Sequence, residues 1–152
     1  MFLDISKAFD SIDRNILIQK LENAGIRGPI LELMRSYLKD RIQRVFVNNT
    51  ISESFKVLSV GVLQGSFLAA LLFLIYVNDF YKCTDALSIV YADDTSCLFK
   101  HKDMHILKNL LEKNLKSIFN CYCLNKLCLN VDRTKFMFFS LNDQKIENFP
   151  TL

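Results

Sequence analysis

The sequence predicts an α+β fold in which a small antiparallel sheet is backed by helices. Three observations predict it. Apolar residues recur at helical 3/4 spacing in three separate stretches, the period changes to two around Asn48-Asn49 and again around Asp93-Asp94, and no repeat, low-complexity tract or linker separates these segments. A chain of 152 residues, 51% hydrophobic and 23% charged, has enough apolar side chain for one real core and too much for a disordered chain, so residues 1–152 read as one domain.

In chain order, Met1-Phe2-Leu3-Asp4-Ile5 reads as the tail of a strand with more chain expected upstream. Residues 6–13 form a turn-rich linker, and Asp13 is placed to cap a helix beginning near Arg14. Ile16, Leu17, Leu21 and Ala24 follow helical spacing until Gly25 stops that helix. Pro29 suits the first turn of a second helix running to about residue 40, with Ile30, Leu33, Met34, Tyr37 and Leu38 along one face. Residues 41–47 and 53–58 alternate around Asn48-Asn49-Thr50, which predicts a hairpin whose asparagines tolerate positive φ. Gly61-Val62-Leu63-Gln64-Gly65-Ser66 is a loop, followed by an apolar helix over about 67–81. Its apolar run of 11 residues falls short of the roughly 20 that span a bilayer, so it predicts a buried helix and no membrane partner. Two β-prone runs, 87–90 and 95–99, then flank Tyr91-Ala92-Asp93-Asp94. The longest helix is expected over about 104–127, a turn at Asn130-Val131-Asp132-Arg133, and a last strand over 135–139.

Charge says little: 19 basic against 16 acidic residues give +3, which permits a polyanionic partner without demanding one. Five cysteines at irregular spacing, with neither a basic start nor an apolar run at the N-terminus, predict reduced thiols and an intracellular protein, cytoplasmic or nuclear. Cys121, Cys123 and Cys128 with His101 and His105 could be imagined as a zinc site, but Cys-x-Cys within a helix points its thiols to different faces, and buried free cysteine is the ordinary reading.

The chemistry concentrates on carboxylates. Asp is common in turns for backbone reasons, yet adjacent carboxylates repel unless a cation or proton lies between them. Asp4 ends an apolar run as Asp93 does, and a sheet pairing these distant strands would gather Asp4, Asp93 and Asp94. Hard oxygen ligands of that kind suit two Mg²⁺ ions in phosphoryl transfer.

Four segments in one order then carry a family resemblance. Phe2-Leu3-Asp4-Ile5-Ser6-Lys7-Ala8-Phe9-Asp10-Ser11-Ile12-Asp13, Gly61-Val62-Leu63-Gln64-Gly65-Ser66 with Leu71 to Asp79, Tyr91-Ala92-Asp93-Asp94, and Leu124 to Asn130 followed by Arg133-Thr134-Lys135-Phe136-Met137 resemble motifs A, B, C and D of reverse transcriptases of the non-LTR, LINE-type retrotransposons. The resemblance covers about nine-tenths of the chain. It implies a polymerase palm, RNA-directed DNA polymerase activity, two Mg²⁺ ions with Mn²⁺ able to substitute, and an RNA template, a DNA primer and deoxynucleoside triphosphate as partners.

It also implies roles for residues. Asp4 and Asp93 would be the principal metal ligands, Asp94 a secondary one, and the Ile5 carbonyl a backbone ligand. Phe9 occupies the position of the steric gate against a ribose 2′-OH. Gln64 and Gly65 would line the nucleotide pocket, and Lys7, with the amides around Lys7 and Ala8, would contact the triphosphate. Arg133 stands where the family usually carries Lys, able to neutralise departing pyrophosphate but poorly able to protonate it. Four positions depart from the pattern: Leu63 for Pro and Ala69-Ala70 for Gly-Pro, which predict a less preorganised loop, and Arg14 for His. Fingers and thumb, which flank the palm in this family, are absent. The chain is therefore expected to be a partial reverse transcriptase domain of a larger polyprotein, inactive alone. The alternative is a non-catalytic remnant or recruited nucleic-acid-binding module that keeps the palm fold.

Overall fold

The computed structural model describes residues 1–39, 42–52, 56–57 and 60–140. They form two compact units, one made of Met1–Ala8 with the chain from Asn78 onward, the other of Phe9–Val77.

In the first unit, β1 (Phe2–Leu3) pairs antiparallel with β7 (Asp94–Leu98), which pairs antiparallel with β6 (Leu87–Tyr91), giving the order β1-β7-β6. The register sets Leu3 opposite Thr95 and Val90 opposite Thr95 on β7's other side. Alternation then divides the sheet into two faces. Leu3, Thr95 and Cys97 are buried, together with Leu111, Ile118 and Tyr122 of α4 (Met104–Leu124), whereas Phe2, Leu87, Ile89 and Leu98 on the opposite face stay exposed. The 3/4 spacing of α4 thus fills one side of the sheet and leaves an open, largely apolar side. Asp103 caps α4 by accepting from the Ile106 amide, and Lys126 at φ 52° ends it in the left-handed conformation, with the Leu127 amide donating back to the Tyr122 carbonyl. Buried Asn114 ties α4 to the loop before β6: its Oδ1 accepts from the Thr84 hydroxyl (2.7 Å) and the Asp85 amide (3.1 Å), and its Nδ2 donates to the Leu110 carbonyl.

In the second unit, α1 (Arg14–Asn23) is capped by Asp13, whose carboxylate accepts from the Asn15 and Ile16 amides, and ends at Gly25 with φ 93°. It packs on α2 (Pro29–Leu38) and on α3 (Phe67–Val77) through Leu17, Ile18 and Leu21. β3 (Phe46–Val47) and β4 (Thr50–Ile51) form the expected hairpin, with Asn48 and Asn49 at φ 47° and 59°; β2 (Ile42–Gln43) and β5 (Lys56–Val57) pair outside it. The parts of the expected strands that fall on residues 41, 53–55 and 58 lie outside the described residues, as does residue 40 at the end of the second helix.

Three expectations need correction. Residues 135–139 do not form a strand: one antiparallel bridge joins Lys135 to Phe2, and Ile5 is bridged to Leu129, so the 129–135 segment edges β1 at two points only. The buried hydroxyl of Thr134 and its amide both return to the Asn130 carbonyl (2.8 and 2.9 Å), closing a turn that takes the backbone out of the ladder between those points. The apolar helix stops at Val77 and tightens into a 3₁₀ turn over Asn78–Lys82, where Asn78 and Asp79 compete for backbone hydrogen bonds. The thiols are not all reduced: Cys83 and Cys121 form a disulfide, with Cα atoms 6.0 Å apart, while Cys97, Cys123 and Cys128 are free. An odd cysteine count could not reveal one pair that the chain's path brings together.

Candidate active site

The sheet register arranges the acidic residues. Leu3 pairs with Thr95, so Asp4, the residue after Leu3, and Asp94, the residue before Thr95, lie at the same end of the sheet. Tyr91 and Asp94 close the hairpin, so Ala92 and Asp93 are its two turn residues. Ala92 has φ 51°, a conformation that favours glycine, and Asp93 follows it on that constrained step. Asp4 and Asp93 are half-buried and Asp94 is exposed. Among the described residues no three His, Cys, Asp or Glu side chains are grouped closely enough to hold a metal ion, Asp4, Asp93 and Asp94 included.

β1's outer edge explains the Ile5 carbonyl. The Ser6 amide donates to Cys128 O (2.8 Å) and the Asn130 amide to Asp4 O (2.8 Å), the pattern of a non-hydrogen-bonded pair at Ile5 and Leu129. In such a pair the central residue's own amide and carbonyl face the other way, here toward the β7 edge. The segment after β1 turns sharply at Lys7, exposed and at φ 48°, while Ile5 and Ala8 are buried.

Asp4 has a partner that the sequence reading missed. Asn130 donates from its side-chain amide to Asp4 Oδ2 at 2.9 Å in addition to its backbone bond to Asp4 O. The available signal was an Asn at the start of a turn, where it was read as a backbone residue. Arg133 is exposed on that same turn.

Behind the acidic end of the sheet, burial pushes the Cys97 thiol up, and burial also pushes the Tyr122 phenol up to about 12, with Thr95 near enough to offset part of this. Among the described residues the Tyr122 hydroxyl has no hydrogen-bond partner.

In the second unit, Phe9 is half-buried with its ring stacked on Phe73, centroids 4.7 Å apart. The 61–66 loop is stitched to the segment around Phe9 by Gly61 N to Ile12 O (2.8 Å) and Val62 N to Phe9 O (2.9 Å). Arg14 adds Nε to Gly61 O (3.1 Å) and Nη2 to Val60 O (3.3 Å). The guanidinium therefore tethers this loop, giving a physical role to a residue singled out in the sequence only as a departure. Gln64 donates to Asp10 Oδ1 at 3.3 Å, Gly65 is exposed at φ 85°, and Ser66 caps α3 by accepting from the Ala69 amide.

Comparison with known proteins adds to this geometry. A family model described as reverse transcriptase (RNA-dependent DNA polymerase) matches residues 1–149. The chain is 35% identical over 107 residues to a protein named "Probable RNA-directed DNA polymerase from transposon BS" of Drosophila melanogaster, a match covering 65% of this chain. It is also 35% identical over 112 residues to the "RNA-directed DNA polymerase from mobile element jockey" of the same organism, covering 68% of this chain. Each match spans 12% of the relative's length.

Proposed function

Because the chain belongs to the reverse transcriptase family, we propose that it is the palm portion of an RNA-directed DNA polymerase, carrying the carboxylates for nucleotide addition. One observation supports this reading: β1 and β7 are paired neighbours, so Asp4, just past Leu3, and the Asp93–Asp94 step, just before Thr95, lie at one end of the same sheet. Carboxylates brought to one end of a sheet repel, so this placement favours a cation. The donor set is carboxylate and carbonyl oxygen, the chemistry of a Mg²⁺ site, and Mg²⁺ usually needs only one or two carboxylates because water and substrate phosphates complete its shell. Asp4, Asp93 and the Ile5 carbonyl would hold the ions, with Asp94 in support. Bound there, two divalent ions supply activation of an attacking hydroxyl and stabilisation of a leaving oxygen.

In the reaction the primer 3′-oxygen bonds to the α-phosphorus of a deoxynucleoside triphosphate, the α–β phosphoanhydride bond breaks, and pyrophosphate leaves. The chain's own residues supply orientation and charge. Lys7 and the amides of its turn offer an anion site for the triphosphate. Phe9, whose ring stacks on Phe73, would present a bulky ring against a 2′-hydroxyl, and Gln64 and Gly65 would contact sugar and base. Arg133 neutralises the pyrophosphate charge, with template RNA and primer DNA as the nucleic-acid partners.

Alignment of reactants can account for about 7–11 kcal/mol of a barrier, so the chain alone should extend a primer negligibly. The test replaces the matched region of the jockey polymerase with this chain and measures extension on an RNA template with Mg²⁺ and deoxynucleotides. Extension by the chimaera, lost in an Asp93→Ala, Asp94→Ala double variant, supports the reading. A folded chimaera that cannot extend would instead favour a non-catalytic module that keeps the fold.

A further inference from the structure

Asp4 is the candidate ligand with the least freedom, and the source of that restraint is Asn130. A carboxylate only accepts hydrogen bonds, so the 2.9 Å contact to Oδ2 must use the amide NH₂ of Asn130 as donor. The backbone bond from the Asn130 amide to the Asp4 carbonyl fixes the two residues' relative height, leaving the side-chain bond to select the Asp4 rotamer. Asn130 is held in turn: the Thr134 hydroxyl and amide both return to its carbonyl, and Thr134 is buried. The result is a relay of fixed bonds, Thr134 to Asn130 to Asp4, that occupies one carboxylate oxygen and leaves the other to a ligand. Ligating carboxylates are commonly oriented by such outer partners, whose removal typically weakens metal binding 10–100-fold.

We propose that Asn130 is a positioning residue for divalent-metal binding, acting through Asp4 by fixing one carboxylate oxygen so that the other faces the cation. This rests on the assignment of Asp4 as a metal ligand, and the test separates the two claims.

The experiment titrates the purified chain with Mn²⁺, reading free Mn²⁺ by electron paramagnetic resonance, with a thermal melt of each variant beside it. Asp4→Ala is expected to weaken binding markedly, Asn130→Ala by about 10-fold, and the double variant no more than Asp4→Ala alone, because Asn130 acts through a side chain already removed. A folded Asn130→Ala protein that binds as the parent does, or losses that multiply in the double variant, overturns the role of Asn130 while leaving the ligand assignment intact. Unchanged binding in Asp4→Ala overturns both. If Asn130→Ala does not fold, the same coupling is read in the unmutated chain: the Asn130 side-chain amide resonance should shift on Mg²⁺ addition, and that shift should vanish in Asp4→Asn. A resonance that ignores Mg²⁺ while the Asp4 carboxyl carbon responds sinks the proposal.

Discussion

Gly61 is pressed against the backbone of Asp10: a methyl group there would stand 2.9 Å from the Asp10 Cα and 3.0 Å from its carbonyl oxygen. Neither neighbour can swing aside as a side-chain tip can, and φ of +82° is itself unfavourable for an L-residue. Gly61→Ala should therefore lower stability by about 2–4 kcal/mol, the sum of overpacking and a left-handed residue. Urea unfolding would show it. A loss under about 0.5 kcal/mol, the range of a neutral surface substitution, would mean that the loop is not seated on the Phe9–Ile12 turn as described.

Tyr122 gives the molecule an alkaline weakness. The unfolded phenol loses its proton near pH 10 and the folded one near 12, so the folded state holds the extra proton between those values. Stability contributed below pH 10 is then lost as pH rises toward 12, by an amount on the order of 3 kcal/mol for two units. Tyr122→Phe should flatten this decline relative to the parent. At pH 7 it should cost nothing or stabilise by up to about 1 kcal/mol, because the hydroxyl it removes is buried without a partner. Equal alkaline slopes in parent and variant would refute the account.

Asp94 should show a conflict between stability and ligand binding. At the same end of the β1–β7 pair as Asp4, it adds like charge there, so Asp94→Asn is expected to stabilise the metal-free chain by about 0.2–1 kcal/mol. The same change should reduce the rise in melting temperature that Mn²⁺ produces in the parent, since ligand stabilisation follows affinity. Melts with and without Mn²⁺ measure both. A variant that loses stability without metal contradicts the pairing.

Elements governed by local chemistry were legible in the sequence. Asp13 and Gly25 bound α1, Asn48-Asn49 turns its hairpin, and the acidic hairpin opens at Tyr91 and Asp94, because capping, positive φ and alternation act within a few residues. The pairing of Asp4's strand with Asp93's was legible only as something a sheet could close. What escaped depends on chain path. The Cys83–Cys121 bond, the Asn130–Asp4 bond and the shortening of the expected last strand to one bridge all join residues whose proximity no local pattern encodes. Asn114 shows the same limit, since an Asn on the inner face of a helix reads as a misfit until its partners Thr84 and Asp85 are seen.

The strand order β1-β7-β6 also sets a timetable for synthesis. Phe2 leaves the ribosome 94 residues before its partner Ser96, an interval of about 5–20 s at about 5–20 residues per second. Through that time the apolar Phe2-Leu3 segment has no β7 to pair with, whereas β6 and β7 are separated by two residues and can zip in microseconds. The hairpin must form first and receive β1 as a late arrival. The nascent chain is consequently exposed at its Phe2-Leu3 segment, where a chaperone would find it and where a pause in translation before residue 94 would prolong the risk.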